Sequence, residues 1–267
     1  MYKGFYEFKN TPFTRGIPTD CLFLPPELSE VTERMQYVAS VQKFAVLTGD
    51  CGTGKTTILR WLNEHLDSHH YKMLYISDSK LTPSSFYRLL LDQLGIVGSN
   101  KSSNSKRQLH ERVAVMKAID DIQTVCVVDE SHLLSFEMLE EIRFLLNMKF
   151  DSDSPMALIL AGQPELWERR LILQKCDAIR QRIDVQSVLN HYDRARTGEY
   201  IMHQLHYAGA QSEIFTEKAI DQIFEYSKGI ARTIDKVCTS VLIYGSQNRL
   251  RLIDDHAVDT VLKGEFM

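Results

Sequence analysis

The residues with the clearest chemical pattern form a glycine-rich stretch that ends in lysine and threonine. The string G-D-C-G-T-G-K-T matches the pattern G-x-x-x-x-G-K-[ST] at every fixed position. Glycines let successive backbone N–H groups converge on phosphate oxygens, and the lysine ammonium neutralises the β- and γ-phosphates. The stretch follows an apolar run and opens a helical pattern, which disfavours an incidental glycine-rich turn. The residues predicted to hold ATP are Gly49, Asp50, Cys51, Gly52, Thr53, Gly54, Lys55, Thr56 and Thr57.

Two adjacent carboxylates form the second feature. Asp129 and Glu130 directly follow the apolar run 125–128, which has the character of a buried strand. Open α/β sheets bind their ligands at the carboxyl ends of the strands. We predict that Asp129 and the Thr56 hydroxyl hold Mg²⁺, and that Glu130 polarises the attacking water. The alternative is a solvated strand end, which the phosphate-binding pattern upstream disfavours.

A polar amide ends another apolar run. Gln163 follows residues 156–162, of which all but the last are apolar. At such a strand end the amide is predicted to sense the γ-phosphate or to position the water. A helix cap or an ordinary loop amide is an equally open alternative.

Two arginines after a predicted core helix indicate how copies of the chain could assemble. Arg180 and Arg182 lie far along the chain from the phosphate-binding stretch, and one of them is predicted to be an arginine finger for a neighbouring subunit's nucleotide. Such a head-to-tail contact implies a homo-oligomer, either a closed ring or a helical filament. The alternative is a solvated basic surface. Arg232 lies in the first turn of a predicted helix, where a cation is electrostatically disfavoured, so we predict that it contacts the nucleotide.

The elements that must position these residues follow from the periodicity of the sequence. Short apolar runs at 44–48, 73–76, 124–128, 157–161 and 183–187 alternate with helical stretches at 29–41, 56–66, 83–94, 106–119, 136–148 and 164–174. This alternation predicts an α/β fold with a parallel five-stranded sheet over residues 1–189, including an aromatic-rich N-terminal lead-in. Four helical stretches at 193–207, 216–226, 230–247 and 254–262 predict an all-helical lid over residues 190–267.

Composition narrows the class of protein. The net charge of −4 excludes a chain that is basic throughout, so any contact with nucleic acid requires a local patch or an assembly. The five cysteines form no C-x-x-C pair, which predicts free thiols in a reducing compartment. The N-terminus lacks the pattern of a signal peptide, and no run of about 18 apolar residues occurs. These features predict a cytoplasmic protein without a membrane partner.

Taken together, the motifs resemble those of the ExeA-like, or general secretion pathway protein A-type, AAA+ ATPases. The resemblance rests on T-G-D-C-G-T-G-K-T-T from Thr48, the Asp129-Glu130 pair, A-G-Q-P-E-L from Ala161, I-R-Q-R-I from Ile179 and G-I-A-R from Gly229. It implies a P-loop NTPase fold, ATP hydrolysis through Asp129 and Glu130, and Gln163 and Arg232 as first and second sensors. Cys51 lies at a position that varies within the family, and Ala231 lies at a position where proline is common. Neither departure undermines these roles.

A more specific resemblance concerns the cellular task. Secretion members of the family are membrane-anchored and carry a cell-wall-binding part, and we expect neither in this chain. A protein of this size is similar to the accessory ATPases of the MuB, TnsC and TniB group. That resemblance implies ATP-dependent assembly on duplex DNA without strong sequence preference, recruitment of a DDE transposase, and disassembly after hydrolysis.

Candidate DNA contacts are basic and small polar residues after the second strand and in a polar loop. They are Lys80, Lys101, Ser103, Ser105, Lys106 and Arg107. An ordinary solvated loop is the alternative. Three functions therefore stay open: a DNA-dependent transposition ATPase, a cytosolic ATPase that serves secretion or envelope assembly, and an ATP-driven switch that does not bind DNA.

Overall fold

The computed structural model describes residues 2–78, 81–99, 102–146 and 154–265. The chain divides into two compact units. The larger unit comprises Pro26–Cys51 and Lys55–Leu189. The other comprises Gly52–Gly54 together with the stretches up to Pro25 and from Asn190 onward.

The helices and strands are numbered along the chain. The helices are α1 (Tyr2–Phe5), α2 (Pro26–Ser40), α3 (Lys55–His65), α4 (Pro83–Gln93), α5 (Ser102–Ala118), α6 (Phe136–Leu145), α7 (Asp177–Arg180), α8 (Arg194–Ala208), α9 (Glu217–Ser227), α10 (Ala231–Gln247) and α11 (Asp255–Glu265). The strands are β1 (Phe44–Gly49), β2 (Tyr71–Ile76), β3 (Gln123–Val128), β4 (Ala157–Gly162) and β5 (Val185–Leu189).

The larger unit contains one five-stranded sheet with the order β2-β3-β4-β1-β5, and all neighbouring strands are parallel. Strands β1 and β4 are buried over their whole length, and β3 is buried except at its first residue. Continuous burial is typical of central strands covered on both faces, and it explains the uninterrupted apolar runs. The predicted parallel five-stranded sheet is confirmed. Because β4 lies between β1 and β3, their carboxyl ends meet at one edge of the sheet.

Helix α4 illustrates how local sequence fixes an element. The Thr82 hydroxyl accepts a hydrogen bond from the Ser85 N–H, and Pro83 occupies the first turn. One face of the helix, which carries Phe86 and Leu90, is fully buried in the core. Each such side chain stabilises the fold by about 1.5–3 kcal/mol. The predicted helix over 83–94 is confirmed to within one residue.

Several predicted elements differ from the structure. Helix α2 begins at Pro26 rather than at 29, and strand β2 begins at Tyr71 rather than at 73. Helix α5 begins at Ser102 rather than at 106, because the buried Ser105 hydroxyl donates to the Ser99 carbonyl and ties the polar segment to the first turn. Strand β5 begins at Val185, two residues later than predicted. Residues Leu166–Leu171 form a π-helical turn instead of a regular α-helix. The end predicted for the helix over 136–148 lies outside the described residues.

The second unit is helical, and the bounds of α8 to α11 agree with the predicted stretches to within three residues. The aromatic N-terminal segment packs against this helical core, since Tyr6, Phe8 and Phe13 are buried there. The Tyr6 hydroxyl donates to the Leu250 carbonyl at 2.9 Å, and a Cβ at Gly245 would overlap its oxygen. The segment was predicted to belong with the α/β core, whereas the structure groups it with the C-terminal helices. No helix among the described residues has both the length and the apolar character needed to cross a bilayer.

Candidate functional site

The phosphate-binding loop joins the end of β1 to the start of α3. Gly52 and Gly54 have φ values of 91° and 105°, a backbone region that favours glycine. The Arg232 N–H donates to the Gly52 carbonyl at 3.1 Å. A Cβ added to Gly52 would come within 2.9 Å of the Arg232 Cβ. Glycine at 52 is therefore required both by the turn and by this close approach.

Lys55 is the buried cation of the loop, with only 6% of its surface exposed. Its Nζ donates to the carbonyl oxygens of Gly49 at 2.7 Å and of Asp50 at 2.9 Å. Burial lowers the pKa of the Lys55 ammonium, while the carboxylates of Glu130 and Asp129 act in the opposite direction. The loop thus holds the ammonium in place with hydrogen bonds to its own carbonyls.

Asp129 is the buried carboxylate of the site, and Thr56 lies beside it as predicted. The Thr56 hydroxyl donates to Asp129 Oδ2 at 3.0 Å, and the Glu130 N–H donates to Oδ1 at 2.8 Å. A carboxylate and a hydroxyl are the oxygen ligands that Mg²⁺ accepts. Within the described residues no cluster of three or more His, Cys, Asp or Glu could hold a metal. The Thr56 hydroxyl and the Asp129 carboxylate fit a cation that takes its other ligands from phosphate and water.

Tyr75 also contacts Asp129, and the sequence prediction missed it. Its hydroxyl donates to Asp129 Oδ2 at 2.8 Å, so that oxygen accepts from two side chains. Tyr75 lies on β2 opposite Val127 of β3, two residues before Asp129. Burial and then the hydrogen bond to Asp129 raise the pKa of Tyr75, which keeps its hydroxyl protonated and donating. The sequence shows only a tyrosine near the end of an apolar run. Its contact with Asp129 can be recognised only when the register between β2 and β3 is known.

Replacement of Tyr75 by phenylalanine tests whether this hydroxyl orients Asp129. We expect Tyr75→Phe to raise the Mg²⁺ concentration for half-maximal ATP turnover about tenfold, because loss of an outer hydrogen bond loosens a metal ligand. The measurement is a Mg²⁺ titration of turnover at saturating ATP. Tyr71→Phe, at the other end of the same strand, is the matched control. An identical Mg²⁺ dependence in both variants would contradict the assignment.

Glu130 occupies a sharp turn at the end of β3. Its backbone is left-handed, with φ 51° and ψ 30°, which is uncommon for a residue other than glycine. The adjacent Ser131 is fully buried, and its hydroxyl donates to the Val128 carbonyl at 2.5 Å. This bond holds the turn, and 46% of the Glu130 side chain stays exposed. Uncommon backbone conformations of this kind cluster at active sites.

His132 and Gln163 meet across the ends of β3 and β4. Their Nε2 atoms lie 3.1 Å apart, and the Gln163 N–H donates to His132 Nδ1 at 3.4 Å. The same Nδ1 lies 3.5 Å from Glu130 Oε2. The sequence prediction included Gln163 but missed His132. The signal for it was the string D-E-S-H, which places a histidine two residues after the second carboxylate.

The two candidate finger arginines differ in their surroundings. The Arg180 guanidinium pairs with Asp177 Oδ1 at 2.6 Å and donates to the Ile172 carbonyl at 2.9 Å. Arg180 therefore ties down the segment before its own helix. Arg182 follows α7 and is half-buried.

Arg232 lies in the first turn of α10 as predicted, with Asp235 one turn further on. Burial raises the pKa of Asp235 to about 6, while the Tyr200 hydroxyl, at 2.7 Å, and the charges of Arg15 and Arg232 act in the opposite direction. Buried carboxyls with a raised pKa next to a charged side chain such as Arg232 are common at functional sites.

The shift at Asp235 predicts how stability depends on pH. Its folded pKa exceeds the ordinary value of 3.8, so stability falls as pH rises from about 4 through 6. We expect Asp235→Asn, which removes that charge, to be more stable than the wild type by about 3 kcal/mol at pH 8 and equal to it at pH 4. Urea unfolding at both pH values measures the difference. A variant that is less stable at pH 8 would refute the prediction.

Only some of the candidate DNA contacts lie on the surface of the described part of the chain. Lys80 and Lys101 lie outside the described residues. The prediction is wrong for Ser105, which is fully buried on the inward face of α5, whereas the sequence pattern suggested a solvated loop. Lys106 is partly exposed, and its Nζ pairs with Glu141 Oε1 at 2.8 Å. Ser103 and Arg107 are exposed, and Arg107 lies 3.6 Å from Glu111.

Comparison with known proteins supports the interpretation of the motifs. The model of the AAA domain family matches residues 38–169. General secretion pathway protein A of Aeromonas hydrophila is 27% identical over 259 residues, covering 91% of this chain and 44% of that protein. This chain therefore spans less than half the length of that relative.

Solved structures share the fold at low sequence identity. Cdc6p from Pyrobaculum aerophilum superposes with a TM-score of 0.70 at 15% identity, covering 94% of this chain and 69% of that one. The Aeropyrum pernix ORC1 protein in complex with DNA gives 0.69 at 14% identity, with coverages of 92% and 67%. Residues 38–169 thus match the AAA domain family, the chain as a whole is similar to general secretion pathway protein A, and its fold is the one that the Cdc6p and ORC1 structures share.

Proposed function

We propose that the chain hydrolyses ATP at the site around Lys55, Thr56, Asp129 and Glu130. The observation that carries the proposal is the pairing of the Thr56 hydroxyl with the buried Asp129 carboxylate, 3.0 Å apart, next to a glycine-rich loop with a buried lysine. The neighbouring Glu130 supplies a second, half-exposed carboxylate at the same strand end. A protein that merely holds nucleotide has no need of this second carboxylate.

The roles of the residues follow from their chemistry. Lys55 and the loop N–H groups bind the phosphates, and Thr56 and Asp129 hold Mg²⁺. When bound, Mg²⁺ supplies positive charge that offsets the negative charge developing on the phosphoryl oxygens. Glu130 orients and polarises the water, as a general base within reach of it does. Gln163 positions the same water or senses the phosphate, and Arg232 serves as the second sensor.

Hydrolysis is proposed to need a second copy of the chain. Arg182 would reach the nucleotide of the neighbouring subunit, because a finger supplied from outside offsets charge that the local site leaves uncompensated. Repetition of this head-to-tail contact gives a ring or a filament. The bonds of Arg180 to Asp177 and to the Ile172 carbonyl hold its guanidinium within the chain, which argues against Arg180 in this role.

The proposed purpose of the assembly is to bind duplex DNA and to recruit a DDE transposase as a target-selection factor. The presence of DNA in the fold neighbour from Aeropyrum pernix and the exposed Arg107 and Ser103 support this proposal. Because the chain's net charge is −4, the basic groups must be concentrated on one side of the assembly. Service to a secretion system is the second candidate, since the named relative is a general secretion pathway protein.

Binding of random-sequence duplex DNA distinguishes these candidates. We expect a labelled duplex to bind at low salt with a non-hydrolysable ATP analogue, and to bind far more weakly with ADP. Arg107→Glu should weaken binding and reduce its salt dependence, whereas Lys117→Glu, at the other end of α5, should not. Absence of analogue-dependent binding would remove the DNA proposal and favour the secretion candidate.

A further inference from the structure

The His132 imidazole lies between the two polar side chains that end β3 and β4. Only 11% of its side chain is exposed. Its Nδ1 is 3.5 Å from Glu130 Oε2, and its Nε2 is 3.1 Å from Gln163 Nε2. One ring therefore contacts both the proposed water-polarising carboxylate and the proposed first sensor.

The backbone fixes where this ring lies. The left-handed conformation of Glu130 and the hydrogen bond from Ser131 to the Val128 carbonyl set the turn that carries His132. On the other side, a Cβ at Gly162 would come within 3.0 Å of the His132 backbone nitrogen. A side chain at position 162 would thus push the turn away from β4. The absence of a side chain there lets His132 lie directly against Gln163.

Both nitrogens of the ring face polar groups. The Gln163 backbone N–H donates to Nδ1 at 3.4 Å, and Nε2 lies 3.1 Å from the Gln163 side-chain nitrogen. Nδ1 also lies 3.5 Å from Glu130 Oε2, so this nitrogen lies next to both residues. The polar chain therefore runs from Gln163 through His132 to Glu130.

We propose that His132 is a positioning residue that makes the orientation of Glu130 depend on Gln163. The proposal deepens the proposed ATP hydrolysis and rests on it. Without His132, the exposed Glu130 side chain would lose a directional partner and sample orientations that do not face the water. Movement of the Gln163 amide would be transmitted to Glu130 through the ring, so the sensor and the base would act as one unit.

Turnover of single and double variants tests this coupling. We expect His132→Ala to lower kcat about 10–100-fold with KM for ATP changed less than about twofold, as for other residues that orient a functional group. Residues that act as a unit are not additive, so His132→Ala combined with Gln163→Ala should be no slower than the slower single variant. The exposed His69, after α3, provides the control His69→Ala.

A conservative variant separates positioning from folding. The amide side chain introduced by His132→Asn keeps a polar atom near the position of Nδ1 but is too short to reach the Gln163 side chain. We expect His132→Asn to recover part of the lost kcat and to be insensitive to a further Gln163→Ala change. Unchanged kcat in His132→Ala, or losses that multiply in the double variant, would overturn the proposal.

A spectroscopic measurement tests the link of His132 to Glu130 and Gln163 independently of turnover. In the ¹⁵N spectrum of histidine-labelled protein, the His132 signals are identified by their loss in His132→Ala. Glu130→Gln and Gln163→Ala should each shift these signals. If neither does, the His132 link is refuted, even in an active enzyme. If both do so in a protein that never hydrolyses ATP, the proposed function fails and the link stands.

Discussion

The Glu130→Gln variant is expected to bind ATP as tightly as the wild type and to turn it over about 10²–10⁴-fold more slowly. The substitution keeps the size of the side chain but removes the charge that polarises the water. Lys55, Thr56 and Asp129 are untouched, so the phosphates and Mg²⁺ are still held. Steady-state phosphate release measures turnover, and equilibrium binding of a labelled nucleotide measures affinity.

The control for Glu130→Gln is Glu137→Gln, which removes an exposed carboxylate of the nearby helix α6. It should leave turnover unchanged. Because hydrolysis would disassemble the oligomer, Glu130→Gln should also accumulate as larger assemblies in ATP than the wild type does. Full turnover by Glu130→Gln would exclude Glu130 as the base.

Arg182→Ala is the second variant with a large expected effect. Loss of an arginine finger lowers turnover about 10³–10⁵-fold and spares nucleotide binding, because the finger acts on the charge that develops during reaction. Arg180→Ala is its matched control. Since Arg180 bonds Asp177 and the Ile172 carbonyl, its loss should lower the melting temperature by about 2–4 °C while turnover stays within a few-fold.

Mixing of inactive variants shows whether Arg182 acts between subunits. An Arg182→Ala subunit has an intact phosphate loop, and a Lys55→Ala subunit has an intact Arg182. Mixed oligomers should therefore contain some complete sites and recover part of the turnover. If only Arg180→Ala is inactive, or if mixing restores nothing, the assignment of Arg182 is incorrect.

The sequence alone was sufficient for the features that are local in the chain. The G-D-C-G-T-G-K-T string, the carboxylates after the third strand and the apolar runs each lie within a few consecutive residues. The parallel sheet and the similarity to general secretion pathway protein A were predicted on that basis and are confirmed. Helices α8 to α11 were also predicted, because their apolar spacing and turn residues are regular.

Features that depend on neighbours distant in sequence were missed. Tyr75 reaches Asp129 only because β2 pairs with β3 in one register, and His132 reaches Gln163 only because β4 ends beside the turn. Ser105 was misplaced for a similar reason, because a hydrophilic run predicts a solvated loop, whereas its hydroxyl donates to the Ser99 carbonyl and its side chain is fully buried. The amphipathic spacing of a helix predicts which of its faces is buried, but the residues that this face contacts are set by the tertiary fold.

ATP turnover per subunit, measured as a function of protein concentration, tests whether the chain is an ATPase whose sites are shared between subunits. We expect measurable Mg²⁺-dependent turnover that rises steeply with concentration and then levels off, because each site is completed by Arg182 of a neighbouring copy. The same curve for Glu130→Gln should stay near zero at every concentration. Turnover per subunit that does not depend on concentration would contradict shared sites, and no turnover at all in the wild type would contradict ATP hydrolysis.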